Sequence, residues 1–511
     1  MIKKNSHSEC FLLVALFTIL SVVMLLIPLS VDDTYYVYRE FNGPIDILKY
    51  AAGYGNGRII GNFMGVVLSK NRIISAFVRA GAITYIIYCV SRLSCINNKY
   101  SGQENGKQYG LLITLLSSLV VLGIGSFTFA ECFAWISAFC NYTLPMCIFL
   151  PCIIFVMRRD IDNVNTFIWF SVFIAAVAEQ LFSEQNTLVC LYFSGIVFLI
   201  ALIKRSRLLL KKITPMLAGN ILGAAIMLYA RMFLASDNGV VDTKSYQSIH
   251  IFDLKDLIHN AFVNTGHIFT YLIFNLVLIC LFAFEGLVII KDKKRFRFKL
   301  IRIFFYVFPV LALITIILYE KKTTLGILPV MASFVIFVFL IVYVVFLIND
   351  KTLRNNFLLS LGFSVLTLVH LLFVDPINSR LSFCFYIFAA LSAMQLFGYI
   401  VSLVGESKTK HINRALLALL CVLLVFLLSV YASVYVTNKK LDEYCRYQVS
   451  QNVSEIDVCP LTDTKYYHHS SVEDRLGYVY YNNTPKDIQF NVISRKTWLK
   501  ERYNDGAYKN N

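Results

Sequence analysis

The chain is dominated by apolar runs of membrane-crossing length that recur from residue 11 to about 436, separated by short polar clusters. A helix crossing the hydrocarbon of a bilayer takes about 20 apolar residues. Inside that layer every backbone N–H and C=O must be paired within the protein, so only helices or a closed barrel can cross. Barrel strands alternate apolar and polar residues over about ten positions, whereas the Leu, Ile, Val and Phe runs here are uninterrupted. The chain therefore reads as an all-α polytopic membrane protein with roughly thirteen transmembrane helices. The predicted runs lie at about 11–30, 72–93, 110–128, 142–157, 166–178, 186–203, 213–234, 267–290, 300–319, 326–348, 357–374, 381–404 and 415–436. Composition agrees, with 58% hydrophobic and only 15% charged residues, far from the balance of a soluble domain.

The formal net charge of +16 would suggest a nucleic-acid partner in a soluble protein. Here the Lys and Arg sit in short loops, "KRSRLLLKK" (204–212), "KDKKRFRFK" (291–299), "NDKTLRNN" (349–356) and "ESKTKHINR" (406–414). They read as positive-inside topology signals, with no nucleic acid implied. With "MIKKN" at the start, the first run reads as a retained signal anchor, since no small-residue cleavage site precedes Asp32. Alternation from a cytoplasmic start then places the membrane domain at 1–436, its first outer loop at 31–71, and a small extracytoplasmic C-terminal α+β appendage at 437–511. The appendage is expected from its alternating apolar positions and Tyr- and Asn-rich turns. Most of the 13 cysteines fall inside apolar runs. An oxidising outer side would permit a disulfide between Cys445 and Cys459 or between Cys132 and Cys140.

The outer side collects the unusual polar groups. The first loop carries Asp32, Asp33 and Arg58, the second Glu131, Trp135 and Tyr142, and the third "SEQN" with Glu184. A longer stretch, "IHIFDLKDLIHNAF", carries His250, Asp253, Asp256 and His259; Arg231 and Arg380 lie at outer ends of later runs. A carboxylate beside low-dielectric surroundings has a raised proton affinity and suits general-base work; the other reading of the Asp pair is helix capping. Each Arg suits a phosphate through its planar donors, or else it snorkels to the interface. Arg79, placed inside its run, needs a partner or a wet cavity. Tyr35, Tyr36, Tyr54, Trp135 and Tyr142 could stack on a sugar ring or form the ordinary interfacial belt. No His or Cys spacing marks a metal site, and neither a Walker loop nor a dinucleotide fingerprint is present, so no cofactor is expected.

An Asp-Asp pair directly after the first span, many further spans and an outer tail resemble the GT-C class of polyprenyl-phosphate-sugar-dependent glycosyltransferases. "DDTYY", "GNGR", the Glu131-to-Tyr142 stretch, "SEQN" and "DPINSR" (375–380) look like a bacterial membrane family similar in layout to serotype-converting O-antigen glucosyltransferases. The resemblance implies an inner-membrane enzyme that moves a hexose such as glucose from undecaprenyl phosphate to a surface polysaccharide or lipid-linked oligosaccharide, on the periplasmic face and with inversion. It implies Asp32 or Asp33 as base, with Glu131 and Glu184 orienting sugar hydroxyls or assisting. Arg58, Arg380 and Arg231 would stabilise the departing lipid phosphate, and Tyr142 would contact substrate. No metal is required, and functional partnership with a donor synthase and a flippase follows. The competing readings are a lipid-linked-sugar transporter or flippase, expected to show mid-membrane charges and broken helices, and an O-antigen polymerase.

Overall fold

The computed structural model describes residues 7–96, 106–158, 164–233, 254–320, 327–373, 377–402, 406–462, 464–467 and 489–503. Ten of the described helices are long and apolar enough to cross a membrane, and up to twelve spans result if each of two bent pairs counts as one. The chain is a multi-pass helical membrane protein. The difference from roughly thirteen predicted spans has two physical sources. The 166–178 run forms a 15-residue helix, Thr166–Gln180, whose length of about 22 Å is short of a bilayer core of about 30 Å. The 110–128 and 267–290 runs are each broken.

In the first of these, Tyr109–Leu122 turns by 91° into Ser126–Ala134; in the second, Ile258–Ile273 turns by 74° into Leu276–Ile289. The two breaks dock on each other. Asn275 Oδ1 accepts from the Gly125 N–H at 2.9 Å, replacing an intrahelical partner that the break removes. A Cβ at Gly125 would lie 2.9 Å from the Phe274 Cβ, so only glycine permits this approach.

The helix at Ser379–Val401 is the axis of the bundle: 89% of its most apolar stretch is buried, against 22% for Phe296–Tyr319 at the periphery. It packs on the helices Lys351–Val369, Arg72–Cys95, Leu276–Ile289 and Gly106–Leu122. Bare apolar side chains such as Phe339 and Val422, 69% and 67% exposed, are stable only against lipid. The first helix, His7–Leu26, packs on Arg72–Cys95, where Glu9 and Arg92 pair at 3.0 Å.

Arg79, buried within that second helix, finds its partners in backbone. It donates to the carbonyls of Ala134 at 2.7 Å and Met24 at 3.0 Å. It is a tie between the end of the first helix and the segment after the first break.

At the other end of the chain, Glu406–Ser450 is one helix of 45 residues. The expected boundary at 437 therefore falls inside a continuous element. Beyond it the strand Glu455–Val458 pairs in parallel with Gln489–Val492. Trp498 closes a small cluster with Leu441, Cys445, Cys459 and Tyr503, its indole N–H donating to the Asp457 carbonyl at 3.1 Å. Cys132 and Cys140 are free thiols. His250 and Asp253, Asp375, and the 468–488 segment lie outside the described residues.

Candidate functional site

The segment after the first helix folds into three short helices, Val31–Tyr38, Pro44–Gly53 and Ile59–Lys70. Asp32 and Asp33 sit in the first turn of the first of these, and adjacent helical residues point in different directions. Asp33 is buried and its two oxygens are occupied: Oδ2 accepts from the N–H groups of Ser30 at 3.3 Å and Ile136 at 3.2 Å, and Oδ1 from Ser137 at 3.0 Å. Burial, with the neighbouring Asp32 charge, pushes its carboxyl up to about 7, against the pull of the Ser137 and Ile136 N–H groups and Arg79. Asp32 is half-buried and has no hydrogen-bond partner among the described residues. Burial raises its proton affinity, and the nearby Arg380 guanidinium opposes that rise.

Opposite stands the segment between the first break and Pro145. Two π-helical turns, Ala130–Ala134 and Phe139–Thr143, flank a single short helix, Ile136–Ala138. Such turns widen the backbone and re-aim side chains, and they are frequent at functional sites. One carries Glu131, the other Tyr142, with Trp135 between them.

Glu131 Oε2 accepts from the Ser379 hydroxyl at 2.9 Å and the Arg380 N–H at 2.7 Å. It thereby fixes the start of the axial helix. The Arg380 guanidinium lies 4.9 Å from the Trp135 ring and 5.7 Å from the Tyr142 ring, within cation–π range of both.

The third wall comes from "GNGR" and "SEQN". Gly57 has φ +76°, and a Cβ there would sit 2.7 Å from the Met227 carbonyl. Asn56 Oδ1 accepts from the Arg58 N–H at 3.0 Å and the Asn62 amide at 2.9 Å. This turn delivers Arg58 to Glu184 at 2.7 Å, with its guanidinium 6.0 Å from the Tyr142 ring.

Arg231 approaches the other Glu184 oxygen at 3.8 Å and is largely exposed. Ser183 caps the Glu184–Ile203 helix. Gln185 donates to the Leu381 carbonyl, and Asn186 donates to the Asn141 carbonyl at 3.2 Å. Each residue of "SEQN" thus has a distinct task.

Seven of the eight sequence-predicted residues form one connected cluster: Asp32, Arg380, Glu131, Tyr142, Arg58, Glu184 and Arg231. Asp33 lies beside it, turned into the scaffold. Glu184 engages Arg58 and Arg231, so its observed work is charge pairing. Sequence reasoning quoted the stretches that hold Gln185 ("SEQN") and Ser379 ("DPINSR") without giving either residue a role, and it missed Asn275; all three act as supports, Ser379 under Glu131, Gln185 under the axial helix and Asn275 at the second break. The signal that could have found Asn275 is a polar residue interrupting the 267–290 run. Among the described residues no group of three or more His, Cys, Asp or Glu is placed to hold a metal ion.

An apolar groove of about 380 Å³ runs between the helices Leu254–Ile273, Ile327–Val345 and Lys351–Val369 and is lined also by Phe385, five residues beyond Arg380. Its wall residues Leu361, Val365, Leu368 and Val369 occupy the half of their helix nearer the Arg380 end. Phe339, Val365 and Val369 on its rim are exposed. No family model, curated protein or solved structure matches the chain.

Proposed function

We propose that this protein is an inverting membrane glycosyltransferase of GT-C type, moving a hexose such as glucose from undecaprenyl phosphate to a surface polysaccharide or lipid-linked oligosaccharide such as O-antigen. The reading places the reaction at the periplasmic face of a bacterial inner membrane. The observation that supports it is the placement of Asp32, without a hydrogen-bond partner among the described residues, beside Arg380, together with a lipid-facing apolar groove lined in part by Phe385 of the axial helix. A base, a phosphate-binding cation and a path for an isoprenoid tail are the three things such a donor requires.

In this mechanism Asp32 takes the proton of an acceptor hydroxyl as its oxygen attacks C1. The C1–O bond to phosphate breaks with its electron pair leaving on the phosphate, where Arg380 stabilises the developing charge. Asp33 acts as scaffold, because its oxygens are held by backbone N–H groups. Glu131 is a positioning residue that sets Arg380 through its N–H. Arg58 and Arg231 meet the phosphate by exchanging Glu184 for it, and Tyr142 supplies the surface on which Arg58 and Arg380 converge. A donor synthase and a flippase would supply the lipid-linked sugar.

The test is turnover by the purified protein in liposomes containing undecaprenyl-phosphate hexose, read as release of undecaprenyl phosphate, with mass spectrometry of surface glycans from cells with and without the chain. No hexose difference and no turnover would end the reading. The transporter reading draws on specific observations. Two broken helices meet at Gly125 and Asn275, and Glu285 is fully buried with neither carboxyl oxygen hydrogen-bonded among the described residues. It predicts transmembrane movement of a labelled lipid-linked sugar without chemistry, lost in Glu285→Gln and retained in Asp32→Asn.

A further inference from the structure

Between the first membrane helix and the helix of Asp32 lie only Ile27, Pro28 and Leu29, with Ser30 as the cap that follows. Pro28 has no N–H and ends the first helix. The carbonyls at that end, and those of the linker, need donors from other parts of the chain. Met24 O accepts from Arg79 at 3.0 Å, Leu25 O from Arg72 at 2.5 Å and Ile27 O from Arg72 at 3.5 Å. Leu29 O accepts from the Tyr467 hydroxyl.

The two arginines belong to the neighbouring helix, Arg72–Cys95. Tyr467 comes from the other end of the chain, 438 positions away. It is 2% exposed and joins, with Leu461, the core of the membrane bundle rather than the small cluster around Trp498. The segment that carries it is fastened there at further points. The Thr462 and Ser433 hydroxyls meet at 3.1 Å, and the Tyr431 hydroxyl donates to the Tyr466 carbonyl at 2.7 Å. The Tyr466 ring lies 5.7 Å from Phe426 and 6.4 Å from Phe129. Phe129 ends the short helix that runs directly into the π-turn of Glu131. One stretch of the tail thus braces the approach to Asp32 and the approach to Glu131.

The Asp32 helix has eight residues, too few to be stable without outside support. Asp33 ties one side of it to the N–H groups of Ile136 and Ser137. Tyr467 ties its entry. Neighbouring helical residues point in different directions, so a loosened entry turns Asp32 away from Arg380 without opening the core.

We infer that Tyr467 is a positioning residue for Asp32, which makes the C-terminal segment part of the frame of the site. The inference rests on the transferase reading for the work Asp32 does, and on the Leu29 contact for its location.

The experiment uses the full chain in lipid nanodiscs. Tyr467→Phe removes the hydroxyl and keeps the ring. Backbone amide exchange, read by mass spectrometry, should quicken about tenfold over Val31–Tyr38 and stay as in wild type over Ile59–Lys70. With undecaprenyl-phosphate hexose, kcat should fall about tenfold at an unchanged KM for the lipid donor, because the base is displaced and Arg380 is not. Trp498→Phe, which removes a hydrogen bond elsewhere in the tail, should keep the wild-type kcat. Should Tyr467→Phe not be recovered folded, Tyr431→Phe releases the same segment at Tyr466 and should give the same two changes.

Wild-type exchange over Val31–Tyr38 in Tyr467→Phe would overturn the inference. So would a fall in KM-independent turnover that Trp498→Phe reproduces in full. Faster exchange over Val31–Tyr38, in a protein whose wild type transfers no sugar, would keep Tyr467 as the support of that helix and remove the transferase.

Discussion

The adjacent aspartates should separate cleanly in a stability measurement. In Asp33→Ala the N–H groups of Ile136 and Ser137 lose their acceptor at 3.2 and 3.0 Å. These residues open a three-residue helix, so no earlier carbonyl of that helix can replace it. Both are buried, at 2% and 9% exposure, so water does not substitute. A buried donor left unsatisfied costs about 1–3 kcal/mol, so the pair costs about 2–6 kcal/mol; the longer Ser30 contact is left out of this figure.

Arg79, whose charge faces Asp33, also loses its counter-charge. Asp32→Asn has the opposite sign. Burial already opposes the charge of Asp32, and no hydrogen bond is lost, so a neutral amide should leave stability unchanged or slightly raised. Heating the purified protein with a thiol-reactive maleimide dye reads this directly, because Cys132, Cys140, Cys190 and Cys384 are buried free thiols that become accessible on unfolding. Asp33→Ala should unfold well below the wild type, whereas Asp32→Asn should unfold with it and yet transfer no sugar. Equal melting of Asp33→Ala and wild type would refute the scaffold assignment. A comparable loss in Asp32→Asn would refute the claim that Asp32 is held free for chemistry.

Further expectations concern charge and shape. Because a base works deprotonated and burial raises the Asp32 proton affinity, transfer should fall as pH drops through a value above the ordinary Asp range. Arg380 opposes that rise, so in the residual activity of Arg380→Ala the acidic limb should move to higher pH; a pH–rate profile with an unmoved limb would count against the pairing. Glu184→Gln removes the carboxylate charge shared by Arg58 and Arg231 and should lower KM for the lipid donor by up to about fivefold, of the order of a half-exposed ion pair. An unchanged or raised KM would mean that these cations do not meet the phosphate. Val338→Trp should fill the groove beside Phe334 and Phe385 and raise KM for a long-chain donor while sparing a short-chain analogue; equal effects on both would displace the lipid path.

The membrane class was legible because the hydrophobic length rule acts on single segments and needs no tertiary information. The same rule could not see the turn at Gly125 or Asn275, since apolar side chains continue on both sides of each break and the energetic support comes from the other break, 150 positions away in sequence. Nor could it find the end of the last long helix, which runs to Ser450 on polar residues after its apolar stretch ends.

Seven of the candidate residues, all assigned to one side by counting spans, lie in one connected cluster. What counting could not provide was orientation. Asp32 and Asp33 are chemically identical and adjacent, and rotation by one helical residue sends one toward Arg380 and the other into backbone N–H groups. The division of labour is set by the short helix Ile136–Ala138, held between the two π-helical turns, that supplies those donors, a feature with no local sequence signature. A carboxylate pair at a membrane boundary therefore marks a place, and the backbone facing it decides which member remains available to react.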